Sequence, residues 1–118
     1  MNTSIENARI TGTMLGKEDH GILTFELFLD FGGSCCAFGG YALDGYDKDT
    51  NKRVVKAAGL RAIVEILDCV GVEKWEDLPG KYIRCESDGW GGKIVAIGNI
   101  LQDKWFRIRE FFEKAKDE

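Results

Sequence analysis

The sequence predicts an α+β fold, an antiparallel sheet of about five strands with two helices in ββββαββα-like order. One amphipathic helix packs on the sheet and a short helix closes the chain. Three observations predict this. From Leu23 to Phe31, apolar residues alternate with Thr24, Glu26 and Asp30, the period-two pattern of a strand with one buried face. Beyond residue 51 the period changes: Leu60, Ile63, Val64, Leu67 and Val70 recur at helical spacing and Gly71 stands as a stop. Glycine supplies 15 residues, and seven of them punctuate strands in clusters: Gly32-Gly33, Gly39-Gly40 and Gly89-Trp90-Gly91-Gly92. A chain of 118 residues buries one core, so one domain over residues 1–118 is expected.

Taken in order, residues 7–15 set Ile10 and Met14 against Arg9, Thr11 and Thr13, a half-buried strand, and residues 16–21 turn the chain. The alternating run at 23–31 is the central strand. Residues 34–43 give a third strand, bulged at Gly39-Gly40, which completes a meander. A polar loop at 44–51 leads into the amphipathic helix. Trp75, Leu78 and Pro79-Gly80 form an apolar connection that caps the core. Residues 82–86 and 94–100 read as a hairpin turning at 88–92. In residues 103–112, the apolar positions Trp105, Ile108, Phe111 and Phe112 suit a short helix.

The net charge of −4 argues against non-specific binding of DNA or RNA, which rests on neutralising phosphates with Lys and Arg. No apolar run approaches the ~20 residues of a membrane-spanning helix. The start of the chain has no basic segment followed by an apolar one, so a cytoplasmic protein is expected. Cys35, Cys36, Cys69 and Cys85 lack zinc-site spacing and read as reduced, largely buried thiols, with one of the Cys35-Cys36 pair facing inward. The lone histidine, His20, sits in a polar turn. Pairing with Cys35 or Cys36 across the meander would give a small thiol enzyme, but such a turn is ordinary loop chemistry. No phosphate-binding loop, dinucleotide fingerprint or zinc-protease motif occurs, so neither an enzyme nor a cofactor is expected.

The cations are more informative. Helix starts favour Asp and Glu, yet Lys52, Arg53 and Lys56 are expected at the start of the first helix and Lys104, Arg107 and Arg109 at the start of the last. An anion lodged against backbone N–H groups would account for this placement, and solvated charge on exposed turns is the plain alternative. Tyr41 and Tyr46 precede the first cluster, Trp105 and Phe106 accompany the second, and Trp90 projects from a glycine turn. Rings beside arginines suit stacking on a base, though Trp90 and Trp105 would equally serve a subunit contact. The candidate residues are therefore Arg53 and Arg109 for phosphates, supported by Lys56 and Arg107. Tyr82, Trp90 and Trp105 are the candidate stacking rings. Gly91 and Gly92 would allow close backbone approach, and alternation leaves Tyr82 equally able to point into the core.

The segments Leu15-Gly16-Lys17-Glu18-Asp19-His20-Gly21-Ile22-Leu23-Thr24, Phe38-Gly39-Gly40-Tyr41-Ala42-Leu43-Asp44, Gly71-Val72-Glu73-Lys74-Trp75-Glu76-Asp77-Leu78 and residues 98–106 resemble small phage- and prophage-encoded proteins. Within that group the chain is similar to phage anti-Thoeris sponge proteins. These sequester the cyclic ADP-ribose isomer made by bacterial TIR-domain defence enzymes and do not cleave it. The resemblance implies an α+β protomer, dimers that can associate into hexamers, and signal pockets at the protomer interface. It also implies, for some members, separate sites for cyclic oligonucleotides. The rival reading is a protein-binding inhibitor that docks through Trp90, Phe28 and the tail at 116–118.

Overall fold

The structure, a computed structural model, describes residues 3–89, 92–116 and 118. Alternation builds an antiparallel six-stranded sheet from β1 (Ser4–Asp19), β2 (Ile22–Asp30), β3 (Cys35–Gly39), β6 (Tyr82–Ser87), β7 (Ile94–Asn99) and β8 (Trp105–Arg107), in the order β3-β2-β1-β6-β7-β8. A separate two-stranded ribbon joins β4 (Asp44–Asp47) to β5 (Lys52–Val55). Two helices, α1 (Ala57–Val70) and α2 (Ile108–Lys114), complete the α+β architecture. The described sheet is thus larger than the expected five strands, and among the described residues no helix is long and apolar enough to cross a membrane.

β1 is longer than the expected strand at 7–15. Its first part pairs with β6 from Ser4↔Ser87 to Arg9↔Tyr82, and its second part pairs with β2 from Arg9↔Asp30 to Asp19↔Ile22. The register slips between Ile10↔Leu29 and Gly12↔Phe28, leaving Thr11 as an extra residue whose hydroxyl donates to the Phe28 carbonyl at 3.2 Å. Such a bulge bends a strand and sharpens its twist. The β1–β2 turn is two residues, His20 and Gly21, with φ of 53° and 73°, the left-handed pair that suits a tight hairpin.

The inner face of the sheet carries Ile10, Phe25, Leu27, Leu29, Phe38, Ile83, Cys85, Ile97 and Phe106, all nearly inaccessible. Strands lie about 4.8 Å apart, so the edges of a flat six-stranded sheet would stand more than 20 Å from each other. Here Phe38 on edge strand β3 and Phe106 on edge strand β8 place ring centroids 6.2 Å apart, edge to face. The sheet is therefore curled around its core until its two edges meet through side chains. Leu78 and Trp75 close one side of that core as expected, with Trp75 edge-on to Phe25 at 6.2 Å.

α1 forms where the periodicity placed it and packs on the sheet, but its buried residues are Ala58, Gly59, Ala62, Ile66 and Cys69. The backbone comes so close at Gly59 that a Cβ there would lie 2.0 Å from the Leu43 carbonyl oxygen. Small residues permit this approach, and the larger Leu60 and Val64 turn outward. At the helix C-terminus Gly71 adopts φ 92°, and buried Asn99 satisfies the last carbonyls, its Nδ2 donating to Cys69 O at 2.9 Å and Val70 O at 3.3 Å. Its Oδ1 accepts from the N–H groups of Leu101 and Gln102, both at 2.9 Å.

Several expectations are corrected. Residues 44–51 are no plain loop: Asp44–Asp47 pairs with Lys52–Val55, a ribbon too short for alternation to reveal. Lys52 and Arg53 consequently lie on β5, and of that cluster Lys56 alone stands at the start of α1, as its N-cap residue. Trp105 and Phe106 lie on β8 and not in the last helix, which opens at Ile108, after Lys104 and Arg107. Cys35 and Cys36 are both exposed, because β3 is a short edge strand.

Candidate functional site

The outer face of β6, β7 and β8 is built in two rows. Cross-strand register aligns Arg84, Gly98 and Trp105 in one and Glu86, Ala96 and Arg107 in the other. Gly98 has a physical reason: a Cβ there would lie 2.8 Å from the Trp105 ring, so its absence lets the indole lie across β7 toward β6. The Arg84 guanidinium sits over that ring at 4.6 Å from the centroid and Arg107 at 5.4 Å. Arg84 is fixed by donating to Asn99 O at 2.7 Å and Gln102 O at 2.8 Å, and Arg107 donates to Glu86 at 3.0 Å. Tyr82, 60% exposed, begins β6 on the same face and does not point into the core.

This face runs into a cleft of about 260 Å³ beside the turn between β6 and β7. Tyr41, Lys93, Arg107 and Arg109 line it, together with Glu86, Asp88 and Glu110. Tyr41 follows β3, whereas Arg107 and Arg109 stand at the junction of β8 and α2, so the cleft opens where the two curled sheet edges meet. Phe112 of α2 stacks on the Tyr41 ring at 5.4 Å and 8°, and Lys93 Nζ lies 5.7 Å from the ring centroid. Arg107 is neutralised by Glu86, while Arg109 has no ion-pair partner among the described residues. Chemically, the cleft offers cations for an anion, carboxylates able to accept from hydroxyls, and the edge of an aromatic ring.

The structure brings together Arg107 and Arg109 and joins Trp105 to Arg107. It does not bring Arg53 or Lys56 to that cleft. Arg53 donates to Asp44 at 2.5 Å, and this contact holds the Asp44 carboxyl below its usual range and raises the Arg53 guanidinium. Lys56 lines a different pocket with Gly59, Phe112 and Ala115, at the other end of α2. Gly92 borders a neighbouring cavity of about 380 Å³ with Cys35, Cys36 and Glu6. A Cβ at Gly92 would lie 2.5 Å from Gly89 O, so tight turn geometry already requires glycine there. Trp90 and Gly91 lie outside the described residues.

No family model matches this chain, and neither a curated protein nor a solved structure matches it.

Arg84, Lys93 and Glu86 escaped the sequence reading. Arg84 was within reach, since alternation with inward Ile83 and Cys85 points it outward beside Tyr82. Its meeting with Trp105 depends on β8, which the helical reading of 103–112 concealed. The proposed pairing of His20 with Cys35 or Cys36 fails on geometry, because they flank opposite ends of β2, whose nine residues at about 3.3 Å each span nearly 30 Å. Burial raises the Cys69 thiol to about 11 and the Cys85 thiol to about 12, and burial with its Cys35 neighbour raises Cys36. Among the described residues no cluster of His, Cys, Asp or Glu is arranged to hold a metal ion.

Proposed function

We propose that this chain is a cytoplasmic, non-catalytic phage-type sponge that binds a cyclic, phosphate-bearing nucleotide signal, of the cyclic ADP-ribose isomer or cyclic oligonucleotide class, and stores it intact. The observation that carries this reading is the convergence of Lys93, Arg107 and Arg109 with the Tyr41 ring in one cleft. Phosphates would engage Lys93 and Arg109 through charge-assisted hydrogen bonds, and ribose hydroxyls would donate to Asp88 and Glu110. The mixed charge suits a nucleotide better than a bare inorganic anion. At about 260 Å³ the cleft lies just under the roughly 300–1,000 Å³ of typical ligand sites, so a second protomer would cover the remainder of the ligand. This accords with signal pockets between protomers of a dimer or hexamer.

Titration calorimetry with a cyclic ADP-ribose isomer and with cyclic di- and trinucleotides tests the proposal. At least one should bind, and mass spectrometry after denaturing the complex should return it unchanged. Arg109→Ala should weaken binding by about tenfold to a hundredfold, the loss of one charge-assisted contact. A ligand returned hydrolysed would make the protein an enzyme. No heat with any of these ligands, or an Arg109→Ala variant that binds like the parent, would refute the assignment.

A further inference from the structure

A groove of about 560 Å³ runs beside the first two turns of α1. Its floor continues the core: Leu43 is buried, and Leu23 and Ile63 are half-buried and packed against the buried cluster. Its rims are open, with Leu15 45%, Leu60 72% and Val55 88% exposed. An exposed apolar patch of this kind marks a surface that something covers. Among the described residues that line the groove, Lys56 carries the only polar side chain. It stands at one end as the N-cap of α1, its stem crossing Gly45, where a Cβ would lie 2.5 Å from Lys56 Cε. There the groove borders a second pocket, which shares Leu43, Lys56 and Gly59 with it and adds Lys116. The carboxylates of that pocket are already engaged, Asp44 by Arg53 and Glu118 by Arg61. Neither Lys56 nor Lys116 has an ion-pair partner among the described residues.

We propose that this groove takes the aliphatic tail of a monomeric medium-chain fatty acid, and that Lys56, with Lys116 in the adjoining pocket, holds its carboxylate. The walls decide the class of occupant. A peptide would bring backbone N–H and C=O groups that aliphatic side chains cannot pair, at a cost for each one buried, whereas a hydrocarbon tail brings none. The described lining holds no aromatic ring, so a flat heterocycle finds nothing to stack on. A cationic end whose neighbouring carboxylates are spent calls for one negative head group. From Lys56 to Ile63 the helix wall runs for about 10 Å at 1.5 Å per residue. A zigzag of ~1.5 Å carbon–carbon bonds advances about 1.25 Å per carbon, so about eight carbons fill that length. The volume falls within the roughly 300–1,000 Å³ of small-molecule sites. The groove shares no lining residue with the Tyr41–Arg109 cleft, so this assignment stands apart from the nucleotide reading.

Titration calorimetry of the full chain with hexanoate, octanoate, decanoate and dodecanoate, each below its micellar concentration, tests this. Binding should saturate at one per chain, and affinity should rise by about three- to fourfold per methylene from hexanoate to octanoate and level off beyond decanoate. Decanol, which lacks the charge, should bind about tenfold more weakly than decanoate. Lys56→Glu should weaken decanoate by at least about tenfold and leave decanol unchanged, whereas Leu60→Asp should weaken both. Circular dichroism checks that each variant is folded, and Leu60→Gln replaces Leu60→Asp if that variant is not. No saturable binding, equal affinity for decanol and decanoate, or a Leu60 variant that binds like the parent overturns the proposal. A chain that sediments with anionic vesicles while ignoring monomeric decanoate overturns it too and gives the groove to a membrane surface.

Discussion

Asp44 shows how one side chain can settle where a whole segment lies. Its carboxylate, with only 5% of the side chain exposed, accepts from Leu23 N–H at 3.3 Å and from Arg53, pinning the β4–β5 ribbon to β2. A carboxyl whose folded value is lowered contributes stability above its unfolded value of about 3.9 and loses it as the pH falls through the folded value. Urea unfolding of the parent should therefore show a loss of stability below about pH 4 that Asp44→Asn lacks, with the variant less stable at neutral pH. The thiols offer a second test. Ellman's reagent at neutral pH should modify Cys35 and Cys36 in the folded protein, and Cys69 and Cys85 only in denaturant, because the latter two are buried with thiols raised to about 11 and about 12. Prompt reaction of Cys85 in the folded chain would contradict this burial. At this scale the sequence spoke unevenly. Arg53 read as a phosphate ligand because its true partner is nine positions away across a turn, and alternation left Tyr82 open to either face until its pairing opposite Arg9 on the sheet set it outward.

Elements are joined here by a few polar locks, and Asn99 is the firmest. One buried amide satisfies two helix-terminal carbonyls of α1 and two N–H groups after β7, so truncation leaves several backbone groups unpaired. Asn99→Ala should cost about 2–3 kcal/mol and lower the thermal midpoint by roughly 8–12 °C, read by calorimetry. An unchanged midpoint would show that water replaces the amide. β2, α1 and the β6–β7 hairpin were all legible, because each is long enough for its period to repeat. β4, β5 and β8 were not, since three or four residues hold barely two cycles of alternation. The orientation of α1 was hidden for a different reason. Leu60 and Val64 face outward while Ile66 is buried, and Ala58, Gly59 and Ala62 are the small residues that let the helix backbone approach Leu43.

The curled sheet gives the molecule a seam. Among the described residues β3 and β8 have a sheet neighbour on one side only, and a run of rings from Phe38 to Phe106 to Phe111 to Phe112 to Tyr41 joins them. No reading of local periods could find this, because it depends on residues 68 positions apart, Phe38 and Phe106, meeting across the core. Aromatic contacts slide and part more readily than a ladder of backbone hydrogen bonds. The two sheet edges are thus held across a slit by side chains, and the cleft sits at its lip with Tyr41 on one bank and Arg109 on the other. A guest gripping both banks would act as a clasp, and the width of the slit would set which guests can be held.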